Sequence, residues 1–138
     1  MLRLIFALSV AAWFGTVVCL SFVVTPAAHG NFPTPEARRF LRPIFPRFYR
    51  LGIVCGVIAL AVVAIGRTGL SQEEMVRLTG PVVVAMLTTL VGGEILLPRM
   101  RDIDREDPRF ERLHFASTML NSTTLGALAL AIAGAVLR

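Results

Sequence analysis

The chain is 138 residues long, enough for one domain of ordinary size, with 55% hydrophobic and 17% charged residues and a mean hydropathy of +0.71. That is too apolar and too sparsely charged for a soluble domain, a disordered segment, a disulfide scaffold or a coiled coil, which leaves a membrane protein. The formal charge is +5 and all fourteen basic residues are Arg, but no motif for reading nucleic acid accompanies them, so where they sit is the informative feature.

The first uncharged apolar stretch, Leu4 to Thr25, is 22 residues long and crosses the ~30 Å hydrocarbon layer. Met1-Leu2-Arg3 before it and Ala27-Ala28 after it also fit a cleaved signal peptide. The stretch exceeds the ~7–15 residues of a signal core, so it is expected to stay as a helix over about 4–25. One face of it carries Ser9, Trp13 and Thr16. In the connection that follows, Thr34 reads as a helix cap, Pro35 suits the first turn and Glu36 faces the positive end of the dipole. Phe40, Ile44 and Phe48, with Leu41 and Phe45, recur at fourfold spacing among arginines. This predicts an amphipathic helix over about 34–46, lying in the membrane interface and kinked by Pro43 and Pro46.

Leu51 to Gly66 is a second uncharged run of 16 residues. Phe48 and Tyr49 lengthen it and Arg50 and Arg67 snorkel from its ends, giving a helix over about 48–66. A third helix, over about 78–98, is interrupted only by Glu94. The connection from Arg99 to Arg112 mixes five Arg with Asp102, Asp104, Glu106, Asp107 and Glu111 and reads as a solvated, self-neutralising segment. A fourth helix, over about 113–137, completes the set. The expected fold is an all-α integral membrane protein: a four-transmembrane-helix bundle with an interfacial amphipathic helix between helices one and two, forming a single membrane domain over residues 1–138.

The long connections carry ten arginines: Arg38, Arg39, Arg42, Arg47 and Arg50 in the first, and Arg99, Arg101, Arg105, Arg109 and Arg112 in the third. Arg3, Arg67, Arg77 and Arg138 fall on the other side. Positive charge stays inside, which predicts a bacterial cytoplasmic (inner) membrane protein with both termini extracytoplasmic.

Polar residues within the spans are the candidate functional groups. Glu94 lies about one turn from the cytoplasmic end of helix three, where an ionised carboxylate needs a partner, water or a proton. An ion pair with Arg50 or Arg101, plain hydration, and proton or cation handling all fit. At about 100° per residue, His114, Ser117, Thr118 and Asn121 share about a third of the circumference of helix four. Such a stripe serves either as interhelical hydrogen-bonding glue or as a ligand or proton path. The alternating topology brings Glu94, His114, Tyr49, Arg50 and Thr25-Pro26 to the cytoplasmic end, with Asn121 about two turns deeper, which predicts a polar vestibule. Gly52 and Gly56 on helix two, and Ala127, Ala131 and Ala135 on helix four, form small-residue ridges for intramolecular packing or for a homo-oligomer. Cys19 and Cys55, in different helices with no metal-ligand spacing, read as buried free thiols. No metal site, cofactor or catalytic motif is expected.

The residues Gly15 and Pro26, then Ile44-Phe45-Pro46-Arg47-Phe48-Tyr49, Leu97-Pro98-Arg99 and Arg112-Leu113-His114-Phe115-Ala116-Ser117-Thr118-Met119-Leu120-Asn121 occur in this order. With them the chain resembles the transmembrane-protein-205-like family, catalogued as domain of unknown function 4149. The resemblance implies a small multi-pass membrane protein without an established reaction and gives weight to His114, Ser117 and Asn121. Gly92 departs from the Asn that it implies near that point. A fainter similarity, in Trp13-Phe14-Gly15 followed by Pro26 and His29, is to four-helix haem-associated and copper-resistance membrane families.

Three functional classes follow. They are a permease of a small solute, ion or proton, or an accessory subunit of one; a membrane scaffold or assembly factor with no ligand; and a haem or metal redox protein. The lipid bilayer is the expected partner, with a homo-oligomer or a membrane-complex partner left open and nucleic acid excluded.

Overall fold

The computed structural model describes residues 1–137, and they contain no strand. Arg138, counted in the charge tally, lies outside the described residues. Four helical rods are long and apolar enough to cross a membrane: Leu2–Asn31, Thr34–Gly69, Gln72–Arg101 and Pro108–Val136. Each extends beyond the apolar stretch expected for it at one end or both, because charge marks where hydrocarbon ends and not where a helix ends.

In the first rod, α1 (Leu2–Cys19) passes through a π-helical turn, Leu20–Val24, into α2 (Thr25–Asn31). Pro26 sits in the first turn of α2. A proline clashes with the carbonyl of the preceding turn, and a widened turn ahead of it makes room, so the rod continues where a loop was expected. The third rod repeats the device. There α5 (Gln72–Leu90) leads through the π turn Val91–Leu96 to α6 (Leu97–Arg101), with Pro98 in the first turn of α6.

The second rod differs from its expected layout. The helix α3 (Thr34–Leu41) ends at Arg42-Pro43, and α4 (Ile44–Gly66) starts immediately after and runs on through a 3-10 turn, Arg67–Gly69. The segment expected to lie in the interface is therefore a separate helix only over 34–41. Ile44, Phe45 and Phe48 belong to the spanning helix, and Pro46 falls in its first turn, where a missing N–H leaves no bond unmade. Thr34 is not the cap: the Pro33 carbonyl accepts from the N–H groups of Glu36 and Ala37, making Pro33 the capping residue. Instead of floating free, α3 buries Ala37 and Leu41 against Ala28 of α2, with Val24 and Phe45 beside them. Phe40 stays exposed and meets Phe32 at a ring-centroid distance of 5.9 Å.

The fourth rod is the single helix α7 (Pro108–Val136), capped by the Asp107 carboxylate, which accepts from the Arg109 N–H at 2.8 Å. In cross-section the ring runs α1, α4, α5, α7 and back to α1, leaving α4 and α7 on one diagonal. The shared core consists of Phe6, Val10 and Trp13 of α1, Cys55, Ala59, Val62 and Val63 of α4, Leu78, Val82 and Ala85 of α5, and Ala127, Leu128 and Ala131 of α7. Large apolar side chains such as Phe22 (68% exposed) and Ile65 (71% exposed) cover the outside. An apolar outer surface of this extent needs lipid, so these four rods form an all-α bundle of an integral membrane protein.

At one end of the bundle, Ser71 and Glu74 form a reciprocal capping box at the start of α5. There the Arg3 guanidinium reaches the Glu74 carboxylate at 3.2 Å, the one salt bridge among the described residues. The opposite, arginine-rich end is tied differently. Arg101 donates to the Arg42 carbonyl at 2.9 Å, and Arg38 and Arg105 lie over the Phe110 ring at 5.6 and 6.0 Å. The connection from Arg99 to Arg112 is thus docked through its arginines, and its carboxylates do not neutralise them by ion pairing.

Candidate functional site

Several polar residues of the bundle interior meet on one face of α7, while the buried Thr89 of α5 stands apart from them. Ser117, Asn121, Thr124, Leu128, Ala131 and Ala135 follow one another at spacings of four and three, the seam by which a helix packs in a bundle. Leu128 and Ala131 are fully buried, and these apolar residues settle which way the helix faces. The three polar members above them then each meet a different helix.

Thr124 meets Thr88 of α5, hydroxyl to hydroxyl at 2.7 Å, and both also reach carbonyls of their own helices. Each hydroxyl has one hydrogen, so one bridges the pair while the other goes back to its own backbone. Asn121 donates its side-chain amide to Ser21 Oγ at 2.7 Å. Ser21 lies in the π turn of the first rod, and that turn sets the angle at which it is presented. Ser117 is faced by the Tyr49 hydroxyl, which comes from α4 across the diagonal.

Tyr49 can make that crossing because the third rod carries no side chain in its way. A Cβ added at Gly92 would lie 3.2 Å from the Tyr49 hydroxyl, and one at Gly93 would lie 2.9 Å from Cγ of its ring. The Gly92-Gly93 pair, inside the second π turn, is the shelf on which the ring rests. A larger residue at position 92, such as the Asn implied by the resemblance, would displace Tyr49. The ladder from Ser117 to Thr124 spans about 10 Å of helix at 1.5 Å per residue.

The other expected members lie elsewhere. Glu94, on the same π turn, points out of the bundle and makes no ion pair or hydrogen bond among the described residues. Arg50 is likewise exposed. His114 is exposed and stacks on Phe110, with ring centroids 6.1 Å apart and planes 6° from parallel. Thr118 is exposed and donates to the His114 carbonyl of its own helix at 3.0 Å. The structure therefore brings Tyr49, Ser117 and Asn121 together and leaves Glu94, Arg50, His114 and Thr118 on the outside.

Ser9 and Thr16 also turn back on their own helix, donating to the Ile5 and Ala12 carbonyls. Trp13 lies along the groove made by Gly52 and Gly56, where any added Cβ would collide with the indole. The ridge of Ala127, Ala131 and Ala135 packs within the bundle. Cys55 is buried, whereas Cys19 is exposed on the outside of α1, contrary to the expectation of two buried thiols. Among the described residues, no three His, Cys, Asp or Glu side chains come together as metal ligands.

Ser21, Thr88 and Thr124 are the ladder members that the sequence reading missed. Only Thr124 had a signal in the sequence, its heptad spacing from Ser117 and Asn121.

The family model described as Domain of unknown function (DUF4149) matches residues 8–109. The match covers α1 through the start of α7, and with it Ser21, Tyr49, Thr88 and the Gly92-Gly93 shelf. No curated protein matches the chain, and no solved structure matches it.

Proposed function

The chain belongs to the family described as Domain of unknown function (DUF4149), and on that premise we propose that it is a membrane-embedded accessory or assembly subunit. In this role it presents Glu94 to a second membrane protein. One observation carries the reading: Ser21, Thr88, Asn121 and Thr124 are engaged with one another inside the bundle, while Glu94 is turned outward without a partner among the described residues. A carboxylate on the outer face of a spanning helix is costly to keep ionised, and a cationic or hydrogen-bonding group on a neighbouring protein offsets that cost. In this reading the chain is a transmembrane-protein-205-like member of the family in the bacterial inner membrane, with its arginine-rich end in the cytoplasm.

Ile95, exposed beside Glu94, is the position for the test. A photoreactive residue there should capture one discrete membrane protein in native membranes. Glu94→Gln should abolish that adduct without changing the thermal stability of the purified protein. An adduct insensitive to Glu94→Gln overturns the reading.

The two π turns favour a second reading, a small permease. Such turns concentrate at functional sites, and here both contact the polar ladder, Ser21 directly and Gly92-Gly93 through Tyr49. Proton or small-cation flux into vesicles made with the purified protein alone, lost in Asn121→Leu, would establish this reading in place of the first.

A further inference from the structure

The arginines of the 99–112 region divide into two groups. Arg101 and Arg105 hold the fold, one on the Arg42 carbonyl and the other on the Phe110 ring. Arg99, Arg109 and Arg112 instead line an open pocket between α6 and the start of α7, together with Asp102 and with the half-buried Ile103 and Leu113 as its apolar part. Among the described residues none of these three guanidiniums is ion-paired, either with Asp102 or with another carboxylate.

The depth of this pocket can be read from the chain. The apolar run of the third rod stops at Pro98, next to Arg99, and that of the fourth starts at Leu113, next to Arg112. Both arginines therefore stand at the edge of the hydrocarbon layer, at the level of lipid phosphates, and the apolar residues of the pocket lie beside them. Three cations and one carboxylate leave an excess of positive charge facing an apolar surface. That combination is complementary to an anionic headgroup carrying an acyl chain and not to a fully water-soluble anion.

We propose that this pocket is a binding site for one anionic glycerophospholipid. Arg99, Arg109 and Arg112 hold its phosphodiester, and the top of an acyl chain lies over Ile103 and Leu113. Guanidinium forks suit phosphate oxygens better than ammonium groups do, which fits the exclusive use of Arg. The proposal does not depend on what the bundle does with Glu94.

Native mass spectrometry of the full chain, equilibrated in mixed phosphatidylglycerol and phosphatidylcholine, reads the preference for the anionic lipid directly. An arginine held against the bound phosphodiester is expected to be worth about a fivefold change in binding, and one that does not touch the lipid much less. Replacing Arg99, Arg109 and Arg112 together by Gln should therefore lower the phosphatidylglycerol preference on the order of a hundredfold. Replacing Arg39, Arg42 and Arg47 by Gln, which removes the same charge from the same end outside the pocket, should leave most of the preference in place. The single variant Arg112→Gln, expected to lose about fivefold, keeps the test decisive if the triple variant does not fold. Equal losses in the two triple variants would mean diffuse attraction and would overturn the site. So would heat protection by inorganic phosphate equal to that by phosphatidylglycerol, or a wild type with no preference between the two lipids.

Discussion

At the scale of single residues, closeness of backbones decides most of what happens in this bundle. Trp13 is the largest fully buried side chain, and it has a place only because Gly52 and Gly56 present no Cβ along the groove it occupies. A Cβ at Gly56 would lie 2.7 Å from Met86 Cγ and 2.9 Å from Trp13 Cζ3. Gly56→Val is therefore expected to destabilise the protein by about 1–3 kcal/mol through overpacking. Gly15 makes the control. An added Cβ there meets nothing within 4 Å, so Gly15→Ala should be neutral or slightly stabilising, as in any helix interior. Thermal unfolding of both variants in one detergent checks the pair, and equal melting temperatures would show that the Trp13 groove is not tightly packed.

At the scale of elements, α7 is the helix to which the other three attach their polar residues, and its rotation about its own axis matters more than its ends. Leu128 and Ala131 face fully inward, and at about 100° per residue they carry Ser117, Asn121 and Thr124 with them while turning Thr118 away. Asn121→Leu removes the bond to Ser21 and should cost about 0.6–2 kcal/mol, the range for interhelical polar contacts in membranes. Thr118→Val removes only a hydroxyl bonded to its own helix and should leave the melting temperature nearly unchanged. The reverse order of effects would mean that α7 is rotated toward the His114 side. The π turns work at the same scale. By widening the helix ahead of Pro26 and Pro98 they keep the first and third rods continuous, and they set the positions of Ser21 and Gly92-Gly93.

At the scale of the molecule, the two ends of the bundle are built from different interactions. One is closed by the Ser71–Glu74 capping box and the Arg3–Glu74 pair. The other joins α3, α6 and the start of α7 through Arg101 on a carbonyl and Arg38 and Arg105 on one phenyl ring. That end holds ten of the fourteen arginines, so it is expected on the cytoplasmic side. Topology reporters inserted between Asp102 and Asp107 should read cytoplasmic, and those fused after Arg138 should read extracytoplasmic. A cytoplasmic carboxyl terminus would contradict either the even number of crossings or the orientation drawn from the charges.

Hydropathy and charge along the chain were sufficient for the all-helical fold, the number of crossings and the end of the bundle at which the arginines gather. These depend on the free energy of moving local segments between water and lipid, which sums along the chain. They located the outer limits of the rods less well, since Asn31 and Arg101 are helical beyond the ends of the apolar runs. Tertiary packing alone decided the rotation of each helix. A helix surrounded by lipid is apolar on its outer face as well as its inner one, so hydrophobicity does not indicate which face turns inward. That choice fell to shape: Trp13 in the Gly52–Gly56 groove, Tyr49 over Gly92-Gly93, and Ala131 and Leu128 in the centre. Those contacts turned Ser21, Thr88 and Thr124 inward and Glu94, His114 and Thr118 outward, because the steric fit between helices is a property of pairs of surfaces that no single stretch of sequence contains.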